Sequence, residues 1–467
     1  MSQPTIASTT WDKLISKKRF EATDKKYTSD ESVRGEFQRD YDRIVFSSAF
    51  RRLQNKTQVM PMPESDFVHT RLTHSLEASV VGRSLGRIVG KSILERHQEL
   101  AEEKNINIQE ADFGDVVAAA CLAHDIGNPP FGHSGEDAIS AYFQSDEAQP
   151  YLQGLTAAEK ADLCNYEGNA AGFRVLTYTY PAHCQLPDGV SHSGLSLTYT
   201  TLATFTKYPK ESLPKIADTK STSEKKYGFF QTEKAWFNTI AQELGLLKKG
   251  KDGEVFYHRH PLAFLVEAAD DICYRIIDFE DGLKLGLVPQ EQGMHLLRQI
   301  LNDDPNRKSS LTFYDWKEEI GYLRARIINK LIEETTAIFL QHEEAILAGN
   351  YDKPLINEVS SKPVLDEIKD LSVRLIYQNR PVLEIEAAGF EVLGGLLDAG
   401  IKAVFKPESR HHRKLAALIP PQYLQLPESA TAYERIIHIT DFVASLTDQA
   451  ALGLYRKIKG IELPRMY

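Results

Sequence analysis

Side chains able to bind metal or move protons crowd into the span 124–136. His124 and Asp125 stand side by side, and His133 and Glu136 follow three residues apart. Imidazole and carboxylate are ligands for a hard or borderline divalent ion. An imidazole near neutrality is also a proton carrier. Neighbours in a regular helix point about 100° apart. His124 and Asp125 can therefore converge on one ion only at a helix terminus, where the backbone is free to bend. The chain supplies that terminus, because Gly127, Pro129, Pro130 and Gly132 cannot continue a helix. The apolar run Val116–Ala123 before them reads as one buried helix. Gly135 to Phe143 after them reads as the next, with Ser134 as its cap.

Other elements must bring partners to this stretch. From Leu72 the apolar positions Leu76, Val80, Leu85, Ile88 and Val89 suit one long helix, with His69 and His74 near its start. A lone helical histidine is more often structural than a ligand, and His69 keeps that reading. His74 is a candidate ligand because a partner pair exists downstream. Arg71, three residues earlier, falls about one turn away on the same side. A helix from Pro261 to Gly282 places Asp270, Tyr274 and Asp278 four apart. Each step of four drifts only about 40°, so all three share a stripe. Polar groups on an otherwise apolar helix are costly unless satisfied, which points to a polar site or to a salt-bridge network. Asp271 sits round the helix from them.

The chain has 467 residues, 42% hydrophobic and 26% charged, as in ordinary globular proteins. A formal charge of -10 repels nucleic acid in bulk, so a polyphosphate would need a local basic pocket. Cys121, Cys164, Cys184 and Cys273 are scattered and form no C-x-x-C, which favours reduced thiols in a cytosol. No signal peptide opens the chain and no apolar run approaches about 20 residues, so the expectation is a soluble cytoplasmic protein without a membrane span. Residues 1–30 are polar apart from a short helical stretch at Trp11–Ile15. Residues 60–63 and 181–196 read as loops, 195–209 as helix, and 210–224 as polar and mobile. Further amphipathic helices are expected in 291–350 and 365–404, and one last helix at about 432–457. The fold expected is all-α: a single helical domain over 1–467, with a metal-site core at about 34–290 and a helical C-terminal region at about 291–467.

The stretches RRLQNKTQV, HTRLTHS, HDIGNPPFGH, EGNA, TKYP and ADDICYRIIDFEDG resemble the HD superfamily of metal-dependent phosphohydrolases. Within it they resemble the deoxynucleoside triphosphate triphosphohydrolases (dGTPase-like). The resemblance implies a helical HD fold and a metal set of His74, His124, Asp125 and Asp270. Two imidazoles and two carboxylates suit Mn²⁺, Mg²⁺, Fe²⁺ or Co²⁺. It implies water attack at the α-phosphorus of a deoxynucleoside triphosphate, dGTP foremost, giving deoxynucleoside and intact triphosphate. His133 and Glu136 are the expected catalytic pair. Either His133 protonates the leaving 5′-oxygen with Glu136 orienting its ring, or the pair activates water. Arg71, Lys207 and Lys226 would meet phosphates, with Tyr208 beside Lys207 and Asn169 near the triphosphate. By itself, a helix cap would explain Asn169 nearly as well. Two lysines flanking 210–224 would make a lid. Tyr274 would pack where a ribose 2′-hydroxyl would clash, and Gln54 and Asp278 would hold the 3′-hydroxyl. Arg410, in Glu408-Ser409-Arg410, would reach a neighbouring subunit's site. The resemblance also implies a homo-oligomer, often a hexamer, and a single-stranded DNA effector.

Two rivals frame these expectations. Another HD phosphohydrolase, a nucleoside monophosphatase or phosphodiesterase, would release a smaller phosphate and would need fewer lysines than 207–230 supplies. A nucleotide- or single-stranded-DNA-binding regulator with a dead site would not need the full ligand set.

Overall fold

A helix that is apolar on every side has to be covered on every side, and Val116–Ala123 is buried at every position. The computed structural model describes residues 9–19, 34–58, 69–102, 108–178, 194–216, 219–302 and 312–462. The expected loop 60–63 and most of 181–196 lie outside those residues. The helices that position the site are numbered in chain order: α1 Glu36–Phe46, α2 Arg71–Arg96, α3 Glu110–Ala123, α4 Gly132–Gln144, α5 Gly168–Thr177, α6 Tyr199–Phe205, α7 Ala263–Lys284, α8 Trp316–Gln341, α9 Lys362–Ser372, α10 Arg380–Phe405, α11 Ala432–Ala444 and α12 Asp448–Ile458. The protein is all-α. Among the described residues only isolated bridges occur, such as Thr57 with Thr70.

The centre is α3 wrapped by α1, α2, α6 and α7. The tightest contact in it is written into α2 as Gly82, Gly86 and Gly90, four residues apart and so on one stripe. A Cβ at Gly86 would stand 2.6 Å from the Phe113 carbonyl oxygen, and one at Gly82 would stand 2.5 Å from Cys121 Sγ. Without side chains there, α3 settles directly onto α2. At its start, α2 is capped by Thr70, whose side chain accepts from Thr73 N while Thr73 Oγ1 accepts from Thr70 N. That cap fixes the first turn, which carries Arg71 and His74.

Two apolar cores result. One gathers residues of α1, α2, α3, α5, α6, α7 and α8 around Phe37, Leu85, Phe113, Leu122 and Ile272. The other joins α4, α10, α11 and α12 around Ile139, Phe143, Leu393, Ile436 and Val443. The 124–131 turn passes from one to the other. α4 begins at Gly132, earlier than a Ser134 cap would allow, because Phe131 and Gly132 both take left-handed φ values, 65° and 61°. Ser134 lies inside the first turn, where its hydroxyl donates to the Glu386 carbonyl at 3.3 Å.

Three further segments differ from their sequence reading. The last helix, expected at about 432–457, is two: α11 ends at Ala444, and Thr447 caps the start of α12 at Asp448. Residues 210–224, expected to be polar and mobile, are packed at both ends, where Lys210, Glu211, Ser212, Thr222 and Ser223 are buried, while Pro214, Lys215 and Lys220 between them are exposed. Within 365–404 the helix breaks. A π-turn at Val373–Tyr377 ends the first piece, and Pro381 sits in the first turn of the next.

Candidate active site

A cavity of about 520 Å³ opens between the two cores, and residues from both line it. Its deepest corner holds the imidazoles. His74 projects from the first turn of α2 and His124 stands at the C-cap of α3. The His124 ring donates from Nδ1 to the Cys121 carbonyl at 2.7 Å, which turns Nε2 toward the cavity. Asp270 comes from α7. Its Oδ1 lies 3.1 Å from His74 Nε2 and 3.5 Å from His124 Nε2. One ligand atom from each of the three falls within 4.8 Å of the others, so the set fits a divalent ion. Burial alone would raise the Asp270 carboxyl, but the His124 and His74 rings outweigh it and hold it well below the ordinary carboxylate range.

Asp125 borders this corner, with Oδ1 3.5 Å from His124 Nε2. Its oxygens already have partners: Arg71 Nη1 donates to Oδ2 at 2.7 Å and Asn128 Nδ2 to Oδ1 at 2.5 Å. Burial opposes ionisation, but the charges of Arg71, His124 and His74 lower the Asp125 carboxyl to about 2. Arg71 is buried on the same wall.

His133 is exposed at the mouth and lines the cavity, as does the buried Glu136. Glu136 Oε1 accepts from Gly168 N at 2.7 Å, and Oε2 lies 3.6 Å from Lys226 Nζ. No hydrogen bond joins Glu136 to His133 among the described residues. A Cβ at Gly168 would stand 2.5 Å from Glu136 Oε1, so a larger residue there would displace the Glu136 carboxylate. Glu167, before it, holds Lys226 at 2.9 Å, and Asn169, after it, lines the cavity. Burial and the nearby Glu136 charge raise the Glu167 carboxyl to about 7 despite Lys226.

Lys207, just past α6, pairs with Glu267 Oε1 at 3.2 Å, and Tyr208 lines the wall beside it. Tyr274 stacks on Tyr377, with ring centroids 5.5 Å apart and planes 10° apart. Asp278 lies behind them, fully buried and not in the lining, where it accepts from the Tyr377 hydroxyl at 3.0 Å. Gln54 does not reach the cavity at all. The 3₁₀ turn Leu53–Asn55 leaves it exposed. Lys56 then takes extended backbone and Thr57 bridges Thr70, which delivers Gln58 to the lining with a buried Oε1 that has no partner. Arg410 is exposed at the start of the short helix Arg410–Ala416, outside the lining.

Sequence reasoning missed Gln58, Glu267, Tyr377 and Glu386, all of which line the cavity. Glu267 had a signal: with Asp270, Asp271 and Tyr274 it makes an i, i+3, i+4, i+7 stripe. Burial and Asp137 raise the Glu386 carboxyl, and His133 acts against them, so this carboxylate from α10 shares the field of His133.

Residues 71–161 match the HD domain family, and residues 360–457 match a phosphohydrolase-associated domain. A Synechocystis deoxyguanosinetriphosphate triphosphohydrolase-like protein is 43% identical to this chain over 97% of it and 100% of the relative. A Pseudomonas aeruginosa protein of the same description is 35% identical over 97% of this chain and 99% of its own. An Enterobacter deoxyguanosinetriphosphate triphosphohydrolase is 29% identical over 91% and 94%.

Proposed function

The chain belongs to the deoxyguanosinetriphosphate triphosphohydrolase-like proteins of the HD-domain phosphohydrolases, and from that premise we propose that it hydrolyses deoxynucleoside triphosphates, dGTP foremost, to deoxynucleoside and inorganic triphosphate. One observation carries the reading: an ion-binding corner, Arg71, Lys207 and Lys226 face one cavity of about 520 Å³. A monophosphate could reach only part of this set of donors, whereas a triphosphate has an oxygen for each of the three cations.

His74, His124 and Asp270 would hold a divalent ion such as Mn²⁺ or Mg²⁺, with Asp125 at its edge. When bound, the ion supplies Lewis-acid polarisation of a phosphoryl oxygen and a more acidic water. The protein's own groups do the rest. Arg71, Lys207 and Lys226 neutralise and orient the phosphate chain. His133, exposed at the mouth, delivers a proton to the departing 5′-oxygen. Glu136 keeps Lys226 and the Gly168 amide in register beside it. The 3′-hydroxyl contact that the resemblance implies for Gln54 falls to Gln58, whose free amide oxygen is an acceptor waiting for a donor. Tyr274, braced by Tyr377, closes the space where a 2′-hydroxyl would sit. Arg410 lies outside this cavity, in keeping with service to a neighbouring copy in a homo-oligomer.

The test is product analysis with Mn²⁺ or Mg²⁺ against the four deoxynucleoside triphosphates and GTP. Deoxynucleoside and intact triphosphate are expected, with dGTP turned over fastest and GTP poorly. Orthophosphate or pyrophosphate would overturn the triphosphohydrolase reading and leave a different HD phosphohydrolase.

A further inference from the structure

The two cavity lysines come from the two ends of the 207–226 segment, and each needs something to hold it. A free lysine side chain loses its rotamer freedom on binding, so an unanchored one binds phosphate weakly. Lys226 is held between Glu167 and Glu136. Lys207 begins a longer chain of charge. Its Nζ lies 3.2 Å from Glu267 Oε1. The other oxygen of Glu267 accepts from Arg259 Nη1 at 2.8 Å. Arg259 Nη2 then lies 2.8 Å from Asp352 Oδ1, and the guanidinium rests on the Phe264 ring with Cζ 3.8 Å from its centroid. The Arg259 and Glu267 side chains are only 1% and 3% exposed.

Asp352 is where this chain meets the other lysine's segment. Its Oδ2 accepts from Ser223 Oγ at 2.5 Å and from Ser221 Oγ, and its carbonyl accepts from Thr222 N at 3.2 Å. Lys249 Nζ, 3.6 Å from Asp352, lies 2.6 Å from Glu224 of the same segment. The short turn Thr222–Glu224 runs directly into Lys226. Charges alternate along the whole path, so each charge has an opposite neighbour, although Arg259 Nε and Nη2 make no hydrogen bond among the described residues.

We propose that Asp352 is a positioning residue for the triphosphate although it lies outside the cavity: through Arg259 and Glu267 it aims Lys207, and through Ser221 and Ser223 it fixes the segment that ends in Lys226. The inference rests on the reading above that a triphosphate fills the cavity. Sharing Glu267 between two cations is the working part. Arg259 occupies one oxygen of Glu267, so Glu267 steadies Lys207 without claiming all of its charge. When Asp352 no longer holds the far side of Arg259, the guanidinium can take both oxygens of Glu267 and draw it off Lys207.

The test compares the full chain with Asp352→Asn, and with Ser221→Ala/Ser223→Ala in case the first variant does not fold. Steady-state kinetics on dGTP with Mn²⁺ are run alongside inhibition by inorganic triphosphate and by deoxyguanosine. Loss of aim should raise KM and the triphosphate inhibition constant about tenfold, the scale of one lost charge-assisted contact. Inhibition by deoxyguanosine should stay within about twofold, since the nucleoside carries no phosphate for the lysines to meet. Unchanged triphosphate inhibition in a folded variant would overturn the proposal. So would equal weakening toward deoxyguanosine, which marks general damage. If the parent chain releases no triphosphate from any nucleotide, the functional reading fails, and calorimetry with inorganic triphosphate still decides this one. Weaker binding by the variant supports it, and equal binding or no binding by the parent overturns it.

Discussion

The two walls of the cavity are built by different means. The metal wall is made of helix: His74, His124 and Asp270 project from α2, the end of α3 and α7, which pack on one another through the first core. Their positions follow from core packing, and a glycine stripe on α2 sets the spacing. The opposite wall is made where helices stop. Gln58 follows a 3₁₀ turn, Tyr377 ends a π-turn, and Val382, Ile385 and Glu386 lie in the first turns of α10. The side chains that would hold an ion sit on the wall whose geometry the core dictates. Groups that would choose among nucleosides sit where a residue can change without disturbing a packed helix pair.

The largest expected effects break the metal wall. His124→Ala should abolish metal uptake and triphosphate release together, read by elemental analysis and product assay. His133→Ala should keep the metal but cut turnover by roughly 10²-fold or more, the scale of acid–base catalysis. Metal lost with His133 would place that ring in the ligand set, and full activity without it would remove it from the mechanism.

A smaller effect separates the walls. Gln58→Ala should lower kcat/KM for dGTP about fivefold, the worth of one hydrogen bond. Gln54→Ala, at an exposed position outside the lining, should leave it unchanged. The same loss in both would mean that the turn at 53–58 matters as a unit. Discrimination against GTP should shift with Tyr377→Leu, which removes both the stack on Tyr274 and the donor to Asp278.

The same contrast explains what could be read from the sequence. His124, Asp125 and the breakers after them are neighbours, so one stretch states both the ligands and the bend. The stripe of Asp270 and Tyr274 is periodic, and periodicity survives without coordinates. Gln58 was hidden because two glutamines share RRLQNKTQV, and which one faces inward depends on where a turn ends. Tyr377 depends on a helix break that amphipathic periodicity does not mark. Arg259 and Asp352 are 93 positions apart in the numbering and signal nothing until α7 and the segment at 352 meet. The reading of 210–224 as one polar stretch missed its ends for the same reason, since Glu211, Ser221 and Ser223 are spent on partners that are remote in sequence.

The smallest effect concerns the anchor of the metal wall. His69 precedes α2, and its ring Nδ1 lies 2.7 Å from Asp281 of α7 while Nε2 lies 3.2 Å from Glu77. It fastens the start of the helix that carries His74 to the helix that carries Asp270. Burial opposes a charged ring here, but hydrogen bonds to Asp281 and Glu77, and then their charges, outweigh it and raise the imidazole from 6.5 to about 10. A group whose folded pKa lies above its unfolded one stabilises most when both states are protonated. Its contribution is therefore complete below pH 6.5 and drains away as pH rises toward about 10. The melting temperature of the parent should exceed that of His69→Gln most at pH 6, and the gap should narrow steadily through that window. A gap that stays constant with pH would mean that the neutral ring's hydrogen bonds provide the anchorage. A gap that widens would reverse the assignment of the charged partner. In His69→Gln the choice between dGTP and GTP should not move, because His69 braces the wall that would bind the ion and touches nothing on the wall that would meet the nucleoside.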